Sequence, residues 1–296
     1  FSPASNLKLL TTAVALKRLG ANYRFKTALY ATLPIVGKIL EGDIYIKGFG
    51  DPNLVSEQMW LLANELKNSP LKKVRGNIIA DASFFDSNRR VKTWNKKAGV
   101  EAYNAPLGAL SFNFNTVAVH VTPGEKKGDR PIVVVDPDIE FIRVDNRART
   151  ASKPKYGRLI VNRVDRGDHN VITVSGTMPV NSRRETYYLN ITQPTHYAAM
   201  VFKEYLLQAG VEVMGKVRVG SVPEGAYELF SHESIPLSLI LRGLNKFSNN
   251  FVAEQILKTI AAEIYGEPGT TLNGLRAMDE YMQSLQYKAE EFSILD

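Results

Sequence analysis

A serine and a lysine lie three residues apart near the start of the chain, in Pro3-Ala4-Ser5-Asn6-Leu7-Lys8. A serine hydroxyl is a weak nucleophile until a neighbouring base takes its proton. A lysine amine becomes such a base when burial or nearby positive charge lowers its pKa. Because residues three apart are neighbours on a helix surface, Ser5 and Lys8 form a candidate nucleophile and base. The alternative is a first-turn serine beside a solvated lysine.

The Ser-x-x-Lys spacing alone carries little information, since it recurs at Ser69-Pro70-Leu71-Lys72. The two copies differ in context. Ser5 opens a run of apolar residues with helical spacing that ends before Gly20, whereas Ser69 lies in a polar turn. The pattern predicts an amphipathic helix over residues 5–19, with Ser5 in its first turn.

A second group of polar side chains, Ser248-Asn249-Asn250, directly precedes another apolar helical segment. Ser-x-Asn at a junction between a loop and a helix places a hydroxyl beside a carboxamide. The hydroxyl could relay a proton to a leaving group, and the amide could hydrogen-bond both a lysine and a substrate carbonyl. The alternative is an ordinary serine that caps the following helix.

Together these motifs resemble those of the penicilloyl-serine transferases. The narrower resemblance is to the D-alanyl-D-alanine carboxypeptidase/endopeptidase family, the class C low-molecular-mass penicillin-binding proteins that include penicillin-binding protein 4. Five stretches in the family's order carry it: FSPASNLKLLTTA at 1–13, GFGDP at 48–52, DASFF at 81–85, APLGALSFN at 105–113 and LNKFSNN at 244–250.

The resemblance implies an α/β (α+β) fold, in which a β-lactamase/transpeptidase-like serine DD-peptidase domain carries two nested inserted domains. We expect the catalytic domain at 1–36 and 225–296, incomplete at both ends. An inserted α/β domain is expected at 37–112 and 186–224, and a second, mostly β insertion at 113–185. Periodicity predicts helices at 195–209, 249–265 and 271–285, and strands at 23–30, 116–121 and 171–174.

By the same resemblance, the protein is expected to be a serine D-alanyl-D-alanine carboxypeptidase or endopeptidase. Ser5 would be the nucleophile and Lys8 the general base. Ser248 would pass a proton to the leaving amine, and Asn250 would hold the substrate amide. The reaction requires neither a metal nor an organic cofactor.

Two further residues are substrate-binding candidates through the resemblance. Asp81 could bind an amine of the peptide stem, and Phe85 could pack on the stem's aliphatic part. Each has a structural alternative, since Asp81 ends a predicted strand and could form a turn, and Phe85 could belong to the core.

The resemblance also implies partners and a location. The substrates would be peptidoglycan stem peptides, β-lactam antibiotics would be covalent inhibitors, and the protein would lie in the periplasm or outside the bacterial cell. Two other functions stay open on the same fold: a catalytically inactive protein that binds the cell wall, and a β-lactamase or esterase.

The sequence departs from the family pattern in two places. Asn249 stands in the second motif where Asp is common. No Lys-Thr pair is followed by Gly, so the third motif of the family, Lys-Thr-Gly, is absent. We therefore expect the 296-residue chain to be cut short before that motif and to be nearly inactive as given.

Composition excludes several other classes of protein. The 37 Lys and Arg exceed the 30 Asp and Glu, for a net charge of +7, but they are dispersed and match no nucleic-acid-binding signature. The absence of cysteine excludes disulfides, Cys-ligated zinc and thiol catalysis. No apolar run approaches the roughly 18 residues of a membrane span, and no His pair has the spacing of a zinc peptidase.

Overall fold

The computed structural model describes residues 4–91, 99–152, 158–287, 292 and 294. Its α-helices, in chain order, are α1 Leu7–Arg18, α2 Ser56–Asn68, α3 Pro194–Gln208, α4 Leu237–Phe247, α5 Asn250–Tyr265 and α6 Thr271–Ser284. Short 3-10 helices cover Ala4–Asn6, Ala102–Asn104 and Asn113–Asn115. The strands are β1 Lys26–Ala31, β2 Ile35–Val36, β3 Ile39–Leu40, β4 Ile44–Gly48, β5 Lys73–Val74, β6 Ile78–Asp81, β7 Thr116–Thr122, β8 Ile132–Asp136, β9 Ile142–Asn146, β10 Arg149–Ala151, β11 Ile160–Asp165, β12 Asn170–Ser175, β13 Thr177–Pro179, β14 Glu185–Asn190, β15 Glu212–Val213, β16 Val217–Val219 and β17 Tyr227–Glu233.

The chain divides into two compact units. Unit 1 comprises Phe1–Lys97, Pro106–Phe114 and Pro194–Asp296, and unit 2 comprises Ala98–Ala105 and Asn115–Gln193. Unit 2 covers most of the stretch in which the sequence predicts a mostly β insertion. All the described α-helices, and all the candidate site residues, belong to unit 1.

Unit 1 is built on a five-stranded sheet in the order β16-β6-β4-β1-β17. Strand β1 pairs antiparallel with β4 and β17, while β4, β6 and β16 are mutually parallel. In β1 the side chains of Ala28, Leu29 and Ala31 are buried on both faces of the sheet. A second, four-stranded sheet has the order β15-β5-β3-β2. The predicted domain boundaries at residues 36 and 225 stay predictions, and the five-stranded sheet contains strands from both sides of each.

A cluster of helices in unit 1 positions the candidate site. Helix α5 is its centre, because every residue from Phe251 to Ala262 is buried, as expected for a helix that is surrounded by protein. Helix α1 packs against α4, α5 and α6 and buries Thr11, Val14 and Ala15 on that side. The start of α1 and the start of α5 are thereby held beside each other.

The described residues of unit 2 form three small sheets. An antiparallel sheet has the order β14-β7-β8, a mixed sheet has the order β11-β12-β9, and β10 pairs in parallel with β13. In β7 buried and partly exposed residues alternate strictly, with Val117, Val119 and Val121 buried. This is the burial pattern of a strand that covers a core with one face.

The predicted elements agree with the structure in type and differ at their ends. The predicted helices at 195–209, 249–265 and 271–285 correspond to α3, α5 and α6. The predicted strand at 23–30 begins later, at Lys26, because the chain first turns at Gly20, whose carbonyl accepts a hydrogen bond from the Tyr23 N–H at 3.2 Å. None of the described helices is long and apolar enough to cross a membrane.

Candidate active site

The predicted nucleophile lies in the short 3-10 turn that leads into α1. Ser5 is exposed within Ala4–Asn6, and Lys8 lies in the first turn of α1. Ala4, directly before the serine, has a left-handed backbone with φ 48°. The Lys8 Nζ lies 3.3 Å from the Ser5 Oγ, so the two side chains that the spacing suggested are in contact.

The Ser-x-Asn motif forms the connection between α4 and α5. Ser248 ends α4 with a left-handed backbone, φ 54° and ψ 40°, which costs a residue other than glycine about 1–2 kcal/mol. Asn249 then caps α5, since its side chain accepts a hydrogen bond from the Val252 N–H at 3.2 Å. Only Ser248 and Asn249 separate α4 from α5, and the strained conformation belongs to a residue of the motif.

This connection brings three oxygen atoms to Lys8. The Lys8 Nζ donates to the Ser248 carbonyl at 2.9 Å, to the Ser248 Oγ at 3.1 Å and to the Asn250 Oδ1 at 2.6 Å. With the Ser5 Oγ, four oxygens surround one ammonium that has only three protons. When Lys8 is neutral it keeps two N–H donors and gains a lone pair, which can accept the Ser5 proton.

The environment of Lys8 lowers its pKa, as a general base requires. Partial burial lowers the pKa of Lys8 below its usual value, and the charge of Glu254 opposes this effect. The hydrogen-bond partners of the amine are neutral oxygens, so none of them holds the proton as an ionic partner would. A lysine with a lowered pKa beside a serine is a typical arrangement for an activated nucleophile.

Asp81 and Phe85 have contacts of a different kind. Both oxygens of the buried Asp81 carboxylate accept hydrogen bonds from backbone N–H groups, those of Ser83 and Val222, each at 2.7 Å. Phe85 is 4% exposed and packs against Phe84, with ring centroids 5.5 Å apart. These contacts match the structural alternatives for both residues, and their roles in substrate binding stay predictions.

Sequence reasoning missed two contributors to the site. The Ser248 carbonyl belongs to a residue with a left-handed backbone and accepts from the Lys8 Nζ, a contact that no sequence pattern indicated. Glu254 could have been found, because it follows Asn250 by four residues and therefore lies on the same face of α5. In the described part of the chain, no group of three His, Asp or Glu side chains could hold a metal ion.

Comparison with known proteins identifies the family of the chain. The profile of the D-Ala-D-Ala carboxypeptidase 3 (S13) family matches residues 1–296. A D-alanyl-D-alanine carboxypeptidase from Actinomadura sp. (strain R39) is 35% identical over 292 residues, which are 96% of this chain and 54% of that protein.

Solved structures match as well. The crystal structure of penicillin binding protein 4 (dacB) from Haemophilus influenzae has a TM-score of 0.86 and 25% identity, and the match covers 100% of this chain and 65% of that one. The same protein complexed with a novel β-lactam has a TM-score of 0.78 at 23% identity, over 99% of this chain and 63% of that one. The predicted α/β fold is confirmed, and the chain spans little more than half to two thirds of these relatives.

Proposed function

The chain belongs to the D-Ala-D-Ala carboxypeptidase 3 (S13) family, and on that premise we propose that it carries the nucleophile of a serine D-alanyl-D-alanine carboxypeptidase or endopeptidase. The observation that carries the proposal is the position of the Lys8 amine. It contacts the hydroxyl of Ser5 on one side and both polar residues of the second motif on the other.

In the first half of the reaction, neutral Lys8 takes the proton of the Ser5 hydroxyl while the Ser5 Oγ attacks the carbonyl carbon between the two D-Ala residues. The negative charge that develops on the carbonyl oxygen needs fixed donors. The backbone N–H of Ser5 is one candidate donor, since it belongs to the residue that attacks. Removal of a general base typically slows such a step by about 10²–10⁴-fold.

In the second half, the bond to the leaving amine breaks as that nitrogen receives a proton. Lys8 returns the proton through the Ser248 hydroxyl, which lies 3.1 Å from the Lys8 Nζ. Asn250 uses its Oδ1 to hold Lys8, which leaves its amide N–H₂ to donate to the substrate carbonyl. Water then hydrolyses the Ser5 ester by the same proton path in reverse.

The same chemistry supports β-lactams as covalent inhibitors, because their strained amide presents a carbonyl to Ser5 as the peptide does. The related Haemophilus influenzae protein has been solved with a β-lactam. Peptidoglycan stem peptides, which contain D-Ala-D-Ala, are the proposed substrates. Their position outside the cytoplasmic membrane supports a periplasmic or extracellular location for the protein.

The test is to label the native gene product with a fluorescent penicillin and to map the labelled peptide by mass spectrometry. We expect the label on Ser5 and its loss in Ser5→Ala. The matched control is Ser69→Ala, which removes the hydroxyl of the second Ser-x-x-Lys copy. The Ser69 Oγ donates to the Leu66 carbonyl at 2.6 Å at the end of α2, and this variant should label normally.

A second arm of the test measures D-Ala release from a D-Ala-D-Ala peptide. Ser5→Ala should abolish the release, and Ser69→Ala should retain it. Equal labelling of Ser5→Ala and wild type would refute the nucleophile. Labelling of Ser5 without peptide turnover would refute the peptidase and leave a penicillin-binding protein of another function.

A further inference from the structure

Two polar contacts link α1 to the end of α4, and the mechanism above uses one of them. In that contact the Lys8 Nζ donates to the Ser248 Oγ at 3.1 Å. In the other, the Thr12 Oγ1 donates to the Asn245 Oδ1 at 3.2 Å. Thr12 follows Lys8 by four residues, so the two side chains share a face of α1. Asn245 precedes Ser248 by three residues, so on α4 as well the second contact lies one helical turn from the first.

The last turn of α4 is exposed. The buried residues of α4 end at Leu244, and Asn245, Lys246 and Phe247 after it are exposed, Phe247 to 74%. The next residue, Ser248, has the left-handed backbone that is costly for a residue other than glycine. Helix ends with little buried apolar surface open readily. Apolar burial therefore contributes little to holding this turn, and hydrogen bonds to the neighbouring helix become important.

We infer that Asn245 is a positioning residue that acts through Ser248. Its hydrogen bond with Thr12 holds the last turn of α4 on α1 and so keeps the Ser248 hydroxyl within reach of the Lys8 amine. The inference rests on the proposed function for its catalytic meaning, because there the Ser248 hydroxyl passes the proton to the leaving amine. The contact between the two helices can be tested without substrate.

The expected effect on the reaction follows from distance. Proton transfer needs heavy atoms within about 2.6–3.2 Å, and the Ser248 Oγ lies at the upper end of that range from the Lys8 Nζ. A small displacement of the end of α4 would break this contact. Asn250, which would hold the substrate amide, lies on the buried helix α5, whose own cap is Asn249. Substrate binding should therefore change less than the rate of proton return.

The first test measures the contact between the helices by amide hydrogen exchange of the native gene product. Thr12→Val removes the hydroxyl and keeps the shape of the side chain. Protection of the amides at 245–248 should fall by about two- to tenfold, the range that follows from the net contribution of one hydrogen bond. The matched control is Thr11→Val, whose hydroxyl donates to the Leu7 carbonyl of its own helix at 3.5 Å; it should leave this protection unchanged.

The second test measures D-Ala release from a D-Ala-D-Ala peptide. Thr12→Val and Asn245→Ala should each lower kcat by about two- to tenfold and leave KM within about twofold. Thr12→Ser restores the hydroxyl and should return kcat to nearly the wild-type value. A rise in KM with an unchanged kcat would overturn the inference, because it would place Asn245 in substrate binding.

Double variants separate positioning of Ser248 from a general loss of stability. If Asn245 acts through the Ser248 hydroxyl, Asn245→Ala should slow penicillin acylation of Ser5 in the wild type and should cause no further loss in Ser248→Ala. The same factor of loss in both backgrounds would show that Asn245 only stabilises the fold, and the inference would be wrong.

The two proposals fail separately. If Ser5 takes up penicillin in the wild type and equally fast in Thr12→Val, the inference about Asn245 is wrong and the proposed function stands. Unchanged protection of 245–248 in Thr12→Val overturns the inference as well. If that protection falls but wild-type Ser5 takes up no penicillin, the proposed function is wrong, and the hydrogen bond still holds the end of α4 on α1.

Discussion

Two lysines interact with helix α5 in very different surroundings. At the first turn of α5, Asn250 accepts a hydrogen bond from Lys8, whose other partners are the oxygens of Ser5 and Ser248. Two turns further along, Lys258 is itself part of the helix. It is 1% exposed and donates to the Asp86 carboxylate at 2.5 Å.

The region around Lys258 is closed and tightly packed. The Lys258 Nζ also donates to the Asn88 carbonyl at 2.7 Å and lies 5.6 Å from the centroid of the Phe85 ring. Gly50 lies against the same ring, since a Cβ there would be 2.6 Å from both Phe85 and the Thr259 hydroxyl. Lys258 therefore links the segment around Phe85 to α5 through these contacts.

The difference between the two regions lies in the partners of the amine. The Lys258 amine forms a buried ion pair with the Asp86 carboxylate, as expected of a lysine with a structural role. Neutral hydroxyl, carbonyl and amide oxygens solvate Lys8 without an ionic bond, and the exposed Ser5 leaves the site accessible. Lys258 thus stabilises the packing of its region, whereas Lys8 is a candidate general base.

The largest expected effect tests whether Lys8 acts as a base or only as a positive charge. Lys8→Arg keeps the positive charge but replaces an amine that can lose its proton by a guanidinium that does not. Penicillin acylation of Ser5 should fall by about 10²–10⁴-fold. Stopped-flow or gel-based labelling kinetics measure the effect, with circular dichroism as the check on folding.

The matched control for this variant is Lys17→Arg, which makes the same change at an exposed position of α1. It should acylate at the wild-type rate. If Lys8→Arg acylates within about threefold of wild type, the general-base role fails and Lys8 supplies only charge.

The second largest effect is expected for Lys258→Met, which should lower the free energy of unfolding and change penicillin acylation little. Lys258→Met leaves the Asp86 carboxylate without its ionic partner, and removal of one member of a buried pair costs about 3 kcal/mol of the free energy of unfolding. Urea unfolding followed by the helical circular dichroism signal measures the loss in unit 1, since all the described α-helices lie there.

The double variant Lys258→Met with Asp86→Leu removes both charges and should recover much of the stability. Folded Lys258→Met should still take up penicillin at nearly the wild-type rate. A large loss of acylation in the folded variant, with little loss of stability, would show that the closed region is not merely structural.

The local parts of this contrast can be predicted from the sequence better than the distant ones. Ser5 with Lys8, and Ser248 with Asn250, could be predicted because each pair lies within a few residues. Their convergence, across 240 positions between Lys8 and Ser248, was expected only through the family resemblance.

The role of a single carboxylate was harder to predict, because it depends on partners far away in the chain. Asp81 receives one of its hydrogen bonds from Val222, 141 positions downstream. Asp86 meets Lys258 across 172 positions. No local pattern distinguishes such carboxylates from one that faces a substrate, since only the fold determines which N–H groups or cations reach them.

The smallest expected effect concerns a buried acid in the closed region. Asp51 follows Gly50 and is 2% exposed; one of its oxygens accepts a hydrogen bond from the Asn53 N–H at 2.8 Å. Among the described residues, its other oxygen has no hydrogen-bond partner. Burial raises the pKa of Asp51 to about 7 from an ordinary 3.8.

This shift predicts how stability changes with pH. The folded protein keeps the Asp51 proton up to about pH 7, whereas the unfolded chain releases it near pH 3.8. The contribution to stability is therefore fully present below pH 3.8 and is lost as the pH rises to about 7. Asp51→Asn resembles the protonated acid at every pH, so it should remove this dependence and stabilise the protein at pH 8 relative to wild type. Urea unfolding from pH 4 to pH 8 measures the effect. The control is Asp138→Asn, which changes an exposed aspartate of unit 2 and should follow wild type.

If Asp51→Asn shows the same pH dependence as wild type, Asp51 is ionised in the folded protein, and the closed region tolerates a buried charge that has no cationic partner.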